Sequence, residues 1–237
     1  MSIKQLLKAP FKPFRRYRLL REAVQPLHPR SCPLCGYHGT FDVYGRPPRL
    51  DARCLKCNSL ERHRLFWLWY DKNKERLTEP FLYFAPEKIF SERFRKTFSD
   101  YRTADFFNPA DLKLNIEAID LPDNTFGTVI CNHVLEHVDD AKALLEMKRV
   151  LKPGGIALLS VPIIEGWDTT YEIKGVDTDL DREIHYGQWD HIRWYGRDFR
   201  DRLQAANFSK IEEITAEGPD VITYGLLRGE KFFVCTK

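Results

Sequence analysis

The chain of 237 residues is long enough for one domain of ordinary size and a small additional module. Apolar residues make up 43% of it, but no run reaches the ~20 apolar residues of a membrane helix. The first twenty residues lack the apolar segment and cleavage site of a secretory signal. Six cysteines without such a signal favour a reducing compartment, where clustered cysteines more often bind metal than form disulfides. We therefore expect a cytoplasmic protein.

The net charge of +3 is unevenly distributed. Residues 1–30 carry eight Lys and Arg residues against one acid, Glu22, so the rest of the chain is slightly acidic. This pattern predicts a basic leader over residues 1–29, and residues 1–30 could make weak contact with anionic membrane or RNA. A solvated N-terminal segment, interrupted by four prolines, is the alternative interpretation.

A four-cysteine pattern follows the leader. The ligand candidates form two Cys-x2-Cys pairs separated by eighteen residues: Cys32, Cys35, Cys54 and Cys57. This spacing predicts a zinc ribbon or knuckle over residues 30–60, because each pair presents two thiolates to one tetrahedral ion. Gly36 and Asn58 follow the pairs and tolerate the tight turns that such a site needs. Four thiolates fill the coordination sphere, so the zinc is expected to be structural; four free thiols in a loop are the alternative.

A linking helix is predicted over residues 61–79, with its aromatic residues packed rather than stacking on bases. From residue 80 to 237, strand and helix patterns alternate. The predicted strands include 81–85, a second one ending at Asp105, "LNI" at 114–116, 126–134 and 156–162, with "KPGG" as a turn before the last of these. Alternation of this kind predicts an α/β fold with a doubly wound, mostly parallel sheet. In such sheets a ligand binds at the carboxyl ends of the strands, near the topological switch point.

Several polar residues are expected at those carboxyl ends. Asp105 follows the first turn by about 20 residues, where a carboxylate can accept the ribose hydroxyls of an adenine nucleoside. The first turn itself, Ala85-Pro86-Glu87 in "FLYFAPEKIF", contains no glycine. Glycine at this position lets backbone N–H groups approach a ligand, so its absence sets this turn apart from a phosphate-binding loop.

The segment "LPDNTFGTVICNHVLEHVDDAKALLEMKRVLKPGGIALLSVP", residues 121–162, resembles the class I S-adenosylmethionine-dependent methyltransferases. The resemblance rests on "LPDNTF" before the fourth strand, "HVLEHV" after it and "RVLKPGG" before the fifth strand. With the flanking elements it covers about residues 80–237. It implies a Rossmann-like methyltransferase domain with S-adenosylmethionine as cofactor.

The resemblance also implies where the cofactor would bind. Ala85, Pro86 and Glu87 would face the methionine moiety, and Asp105 would hold the ribose. Asn115 and Ile116 would flank the adenine, while Asn132 and His133 would lie at the methionine end and the incoming acceptor. S-adenosylmethionine has no phosphates, so a turn without glycine is compatible with it.

Candidate acid–base groups lie in two places. His133 is expected on the substrate side, whereas His137 is expected to be structural, bonding to backbone. The insertion at residues 163–195 carries eight acids, three bases and six interleaved Trp and Tyr residues, and should cover the cofactor pocket as a lid or substrate wall. Within it, Asp190 and His191 form a candidate catalytic pair, or Asp190 merely orients the histidine. Cys131 and Cys235 are expected to be buried thiols without a function.

The acidic lid disfavours a nucleic-acid acceptor, because it repels phosphate. The sequence therefore favours a methyltransferase acting on a small molecule or a carbohydrate or lipid precursor. Two alternatives stay open. One is an RNA methyltransferase, since the zinc-knuckle arrangement also resembles some ribosomal RNA methyltransferases. The other is a non-catalytic zinc-stabilised binding module with a degenerate cofactor site. The acceptor and the oligomeric state are left undetermined.

Overall fold

The computed structural model describes residues 28–45 and 48–237. The basic leader predicted over residues 1–29, and its contact with membrane or RNA, lie outside the described residues except for the last two positions. Within the described part, the chain divides into two compact units: residues 28–72 with 215–230, and residues 73–214 with 231–237. The segment 215–230 thus interrupts the predicted methyltransferase domain of residues 80–237. Among the described residues, no helix combines the length and apolar character needed to cross a membrane.

The first unit consists of two small antiparallel hairpins and helices. Strands β1 (Arg30–Ser31) and β2 (His38–Gly39) pair, as do β3 (Phe41–Tyr44) and β4 (Arg49–Cys54). Helix α1 (Glu61–Asn73) follows and leads into a 3-10 turn at Lys74–Arg76, which belongs to the second unit. The aromatic side chains of α1 are packed as expected: Phe66, Trp69 and Tyr70 are buried.

The second unit is built on a seven-stranded sheet within the described residues. Its elements are β5 (Phe81–Phe84), α2 (Lys88–Thr97), β6 (Tyr101–Asp105), β7 (Leu112–Lys113), β8 (Phe126–Asn132), α3 (Asp140–Val150), β9 (Leu151–Ser160), α4 (Asp179–Tyr186), α5 (Phe199–Ala205), β10 (Lys210–Thr215) and β11 (Lys231–Thr236). Helix α6 (Pro219–Tyr224) belongs to the first unit. The strand order is β10-β11-β9-β8-β5-β6-β7.

The central part of this sheet is parallel and fully buried. Strands β5, β6, β7, β8 and β9 pair in parallel, and β11 adds to β9 in the antiparallel direction. Every residue of β5 and β8 is buried, which explains their continuous apolar runs. From β5 the chain proceeds to β6 and β7 on one side, and then returns to β8 and β9 on the other. The switch point therefore lies between β5 and β8.

Two strand predictions differ from the structure. The third strand is not residues 114–116 but β7, at Leu112–Lys113. Its start is fixed by Asp111, whose carboxylate accepts bonds from the backbone N–H and the hydroxyl of Thr103, at 2.8 Å each. Leu114 and Ile116 are buried, so their apolar character reflects packing after the strand ends.

The predicted "KPGG" turn lies within a longer strand, where the pairing with the neighbouring strand is irregular. Strand β9 begins at Leu151, and its pairing with β8 jumps from Leu151 to Ile156, so residues 152–155 are skipped in the register.

The insertion at 163–195 contains a helix that periodicity did not reveal, α4. Its N-cap is Thr178, whose hydroxyl accepts from the N–H of Asp181, and its C-cap is Gly187, in the left-handed conformation.

An ion-pair cluster at the edge of the sheet predicts acid sensitivity. Glu213 accepts from Arg200 at 2.7 Å and lies 3.0 Å from Lys231. The hydrogen bond from Arg200 lowers the pKa of Glu213 from 4.5 to about 2, although partial burial opposes it. A lowered pKa in the folded state contributes stability above pH ~4.5, and this stability is lost as the pH falls towards 2.

We expect Glu213→Gln to reduce the free energy of unfolding at pH 7 and to flatten its dependence on pH between about 4.5 and 2. Urea unfolding at several pH values measures this. Glu183→Gln, an exposed position on α4, serves as the control with a wild-type pH profile. A parallel profile for Glu213→Gln and wild type would show that Glu213 is not a source of the acid sensitivity.

Candidate functional site

A cavity of about 710 Å³ opens at the carboxyl ends of the parallel strands in the second unit. This is a common size for a small-molecule site. Six of the residues predicted for cofactor or substrate line it: Ala85, Asp105, Asn115, Ile116, His133 and Asp190. They come from the ends of β5, β6, β7 and β8 and from the insertion. The cavity thus lies at the switch point, where a doubly wound sheet places its ligand.

The backbone turns sharply after both central strands. Ala85 follows β5 with a φ of 45°, and His133 follows β8 with a φ of 54°. This left-handed region is costly for residues other than glycine, by roughly 1–2 kcal/mol. Strain of this kind clusters at ligand sites. Ala85 therefore holds the conformation that a glycine would hold in the same turn, with only one methyl group added.

Ala85→Gly should raise the free energy of unfolding by up to about 1 kcal/mol, because glycine adopts this φ without steric cost. The same exchange at Ala141, in the first turn of α3, should lower it by up to about 1 kcal/mol. Paired denaturant titrations of the two variants measure the difference. If Ala85→Gly is destabilised as much as Ala141→Gly, the strained turn is not a property of the folded protein.

Asp105 is oriented by the turn that follows β6. Its Oδ1 accepts from the N–H groups of Phe107 and Asn108 at 2.8 and 2.7 Å. Within the described residues, Oδ2 has one longer contact, 3.3 Å from the Asn108 side-chain amide. The turn therefore fixes the carboxylate through one oxygen and leaves the other with acceptor capacity for a ligand hydroxyl.

Three predicted contact residues do not line the cavity: Pro86, Glu87 and Asn132. Asn132 is buried, donates to the Tyr83 hydroxyl at 3.2 Å and accepts from Ser160 at 2.9 Å. Tyr83 in turn donates to Glu87 at 3.3 Å. Burial raises the pKa of the Tyr83 hydroxyl, so it stays protonated and acts as a donor. These groups form a hydrogen-bonded layer that joins the ends of β5, β8 and β9.

Charged and imidazole groups gather on the wall formed by the 3-10 turn after β8 and by the insertion. Nδ1 of His133 lies 3.2 Å from Oε1 of Glu136, and Nδ1 of His137 lies 3.3 Å from Oδ2 of Asp190. The His137 and His191 rings meet edge to face, with centroids 4.7 Å apart. Asp190 thus contacts His137 and not its sequence neighbour, which corrects the predicted Asp190–His191 pair.

The reason for this correction is burial. The side chain of His191 turns into the protein and is 3% exposed, and it does not line the cavity. Burial lowers the pKa of His191, and the neighbouring His137 adds to this effect, so the ring is neutral near pH 7. Burial also raises the pKa of Glu136, but the hydrogen bond from His133 opposes this and helps to hold the pKa of this carboxyl below its ordinary value.

Sequence reasoning missed part of this wall. It assigned His137 a backbone contact, which is confirmed by a 3.1 Å approach to the carbonyl of Asp190, but His137 also lines the cavity. Arg182 and Trp189 line the cavity as well and were not singled out. The detectable signal was the His-x2-Glu-His spacing of "HVLEHV", which places His133, Glu136 and His137 around one turn.

The four predicted zinc ligands converge in the first unit. The sulfur atoms of Cys32 and Cys57 are 3.5 Å apart and those of Cys35 and Cys54 are 3.7 Å apart. All four lie within 4.8 Å of one another. Gly36 and Asn58 have φ values of 69° and 59°, so both turns adopt the left-handed conformation that their residue types favour. The two other cysteines, Cys131 and Cys235, are buried in the sheet as expected.

A buried arginine supports this cluster. Arg64 of α1 is fully buried and donates to the carbonyls of Ser59 at 2.6 Å and Ala52 at 3.0 Å. It also donates to the carbonyls of Tyr224 and Gly225, and its guanidinium lies 4.6 Å from the centre of the Phe41 ring. The guanidinium thus places a buried positive charge in the same unit as the four cysteines.

The fold of this protein is the Rossmann-like fold of the methyltransferases. A SAM-dependent methyltransferase from Archaeoglobus fulgidus superposes with a TM-score of 0.53 over 77% of this chain and 96% of that structure. The two sequences are 12% identical, so the similarity concerns the fold.

The similarities in sequence each cover part of the chain. Residues 87–159 match a family described as "Methyltransferase domain". The ubiquinone/menaquinone biosynthesis C-methyltransferase UbiE of Escherichia coli O1:K1 / APEC is 45% identical over 65 residues, and so is UbiE of Enterobacter sp. (strain 638). In each case the match spans about a quarter of this chain, 26%, and 26% of the relative.

Proposed function

We propose that this protein is an S-adenosylmethionine-dependent methyltransferase. The observation that carries the proposal is Asp105, held by its turn at the end of β6 on the wall of a cavity at the switch point. A carboxylate at this position suits the two ribose hydroxyls of an adenine nucleoside. The methyltransferase-domain match over residues 87–159 supports the nucleoside being S-adenosylmethionine.

The cavity residues fit the other parts of this cofactor. Asn115 and Ile116 would flank the adenine with an amide and an apolar side chain. Ala85 and His133, on the two adjacent turns, would lie towards the methionine end. The absence of glycine at Ala85 does not count against the fit, because this cofactor has no phosphates to bind and Ala85 already adopts the left-handed turn. Glu87 and Asn132 would act from behind the wall, through their hydrogen bonds to Tyr83, and Pro86 would act through the shape of the turn after β5.

The main role of these residues would be to align the acceptor with the methyl group of the cofactor. The bound cofactor supplies a methyl group activated by its sulfonium, and the protein must place an acceptor in line with it and exclude water. Trp189 and Arg182 of the insertion border the same cavity, so the insertion would form the acceptor side. His133 lines the cavity, and its Nε2 has no hydrogen-bond partner among the described residues, so it is the group that we propose takes a proton from the acceptor.

A small molecule, or a carbohydrate or lipid precursor, is the acceptor class that we favour. Three acids, Asp105, Glu117 and Asp190, line the cavity against one arginine, Arg182, and the insertion as a whole carries eight acids against three bases, which disfavours a phosphate backbone as acceptor. The UbiE relatives are named for ubiquinone and menaquinone biosynthesis, which supports a small-molecule acceptor. This support comes from a match that covers 26% of the chain. Cytoplasmic location stays our prediction from the cysteine usage.

We also propose a structural zinc ion in the first unit. A tetrahedral ion with Zn–S bonds of about 2.3 Å requires its sulfurs to be about 3.8 Å apart. The 3.5 and 3.7 Å separations support Cys32, Cys35, Cys54 and Cys57 as its ligands. Since four thiolates complete the coordination, the ion would stabilise the unit and take no part in methyl transfer.

Calorimetric titration of the purified protein with S-adenosylmethionine and S-adenosylhomocysteine tests the proposed activity. We expect saturable binding of both at micromolar to submillimolar concentration, and none of NAD, which serves as the matched nucleoside control. A folded protein that binds neither sulfur compound at millimolar concentration would favour the non-catalytic binding module. Salt-dependent binding of RNA that requires residues 1–30 would favour the RNA methyltransferase instead.

A further inference from the structure

Three side chains with metal-binding groups converge behind the cavity wall: Glu136, His137 and His191. One ligand atom from each lies within 4.8 Å of those of the other two. Glu136 and His191 are 1% and 3% exposed, whereas His137 borders the cavity. The cluster therefore reaches from the interior of the unit to the ligand site.

Two of these side chains have polar atoms that the described residues leave unsatisfied. Oε2 of Glu136 and Nδ1 of His191 are both buried without a hydrogen-bond partner. A buried polar atom without a partner typically costs about 1–3 kcal/mol, and more when it is charged. Two such atoms in one cluster of ligand-type groups indicate that a bound species supplies the partner for both.

The remaining polar atoms of the cluster are held as they are in metal sites. Nδ1 of His137 lies 3.1 Å from the carbonyl and 3.3 Å from the carboxylate of Asp190. A proton on this nitrogen leaves Nε2 with the lone pair, which is the usual arrangement for a ligating histidine. His133 approaches Oε1 of Glu136 in the same way and orients the carboxylate.

The backbone that carries these ligands is clamped. The guanidinium of Arg193 is buried and donates to the carbonyls of Leu135 at 2.8 Å and of Val138. The hydroxyl of Tyr195 also donates to Leu135, at 2.9 Å, and the N–H of Ile192 donates to the carbonyl of Glu136 at 3.0 Å. These bonds fix the turn after β8 against residues 190–195, so the three ligands are held before any ion binds.

We propose that Glu136, His137 and His191 bind a divalent first-row transition-metal ion, with His133 and Asp190 orienting the ligands. Two imidazoles and one carboxylate suit Mn²⁺, Fe²⁺, Co²⁺ or Zn²⁺, and they leave coordination positions open. Of the three ligands His137 borders the cavity, as do His133 and Asp190, so an ion held here would lie next to the space where an acceptor would bind. The site is distinct from the four-cysteine cluster, which lies in the other unit.

The ion also narrows the acceptor class, and this step rests on the proposed methyltransferase activity. A divalent ion binds a hydroxyl oxygen of the acceptor and lowers the pKa of that hydroxyl. The proton passes to Nε2 of His133, and the oxygen attacks the methyl carbon of S-adenosylmethionine. The new O–C bond forms as the C–S bond breaks, and its electron pair stays on sulfur to give S-adenosylhomocysteine. The structure thus points to an acceptor methylated on oxygen.

Titration with Mn²⁺ tests the site. The full-length protein is first loaded with one equivalent of zinc, which occupies the cysteine cluster. Mn²⁺ binds poorly to thiolates. The electron paramagnetic resonance signal of free Mn²⁺ decreases when the ion binds to protein, so it measures binding directly. We expect one Mn²⁺ per chain, and Glu136→Gln or His191→Ala should weaken its affinity by at least about 100-fold. Asp190→Asn should weaken it by about 10- to 100-fold, and His185→Ala, an exposed histidine of α4, should leave it unchanged.

Glu136→Gln is nearly isosteric and decides the question if His191→Ala does not fold. Mn²⁺ affinity that is the same in wild type and Glu136→Gln, or no binding to wild type at millimolar Mn²⁺, would overturn the metal site. The two proposals fail separately. Cofactor binding without Mn²⁺ binding would refute the metal site alone, and Mn²⁺ binding without cofactor binding would refute the methyltransferase assignment alone.

Discussion

Replacement of Asp105 by asparagine will lower the affinity for S-adenosylmethionine by at least about 100-fold. Two hydrogen bonds from ribose hydroxyls to a carboxylate contribute about 1.5–3 kcal/mol each, and about 1.4 kcal/mol corresponds to a factor of ten. Asparagine keeps one oxygen that can accept from the N–H groups of Phe107 and Asn108, so the turn after β6 should persist. The loss therefore reports on the ligand and not on folding. Calorimetric titration of wild type and variant measures it.

Asp120→Ala provides the matched control, because this carboxylate is exposed and does not line the cavity. Its cofactor affinity should equal that of wild type. Asp105→Ala should lose at least as much affinity as Asp105→Asn, and in addition it should lose stability through the turn. Unchanged affinity in Asp105→Asn would show that the nucleoside does not bind at the end of β6.

Removal of zinc will unfold the four-cysteine region and leave the sheet folded. Binding of a structural zinc ion by thiolates contributes about 10–16 kcal/mol in small zinc modules, which is as large as the whole stability of an ordinary domain, about 5–15 kcal/mol. Residues 30–60 should therefore lose hydrogen-exchange protection on complete chelation, and in Cys54→Ser. The amides of β5, β8 and β9, all within the second unit, should keep theirs. Hydrogen exchange followed by mass spectrometry reads both regions in one experiment.

Cys131→Ala is the control for the cysteine chemistry, since this thiol is buried in β8 and lies outside the cluster. Its zinc content should match that of wild type, whereas Cys54→Ser should lose the ion. If residues 30–60 kept full hydrogen-exchange protection after the metal had been removed, the four cysteines would not need an ion to hold this region folded.

The sequence predicted those parts of the fold that depend on continuous burial or on local spacing. Strands β5 and β8 are apolar throughout because both faces are covered, and their positions agree with the prediction. The third strand was misplaced because Leu114 and Ile116 are buried without being in a strand, and a pattern of apolar residues does not separate the two cases. Helix α4 escaped detection because it is short and its Leu180 and Ile184 are exposed.

The candidate site was predictable where it depends on strand ends, and not where it depends on contacts between distant segments. Asp105 ends its strand and His133 directly follows its own, so strand positions were enough to place them at the cavity. The contact between His137 and Asp190 joins residues 53 positions apart and needs the course of the insertion. The left-handed turn at Ala85 was also hidden, because alanine rarely signals a positive φ.

A crystal structure with S-adenosylhomocysteine, grown in the presence of Mn²⁺, tests the central claim most directly. We predict the nucleoside in the cavity at the ends of β5, β6 and β7, with both ribose hydroxyls on the Asp105 carboxylate and the adenine between Asn115 and Ile116. The sulfur should lie towards His133, on the side of Glu136, His137 and His191. A nucleoside bound elsewhere on the protein, or a cavity that stays without it at saturating concentration, would contradict the assignment.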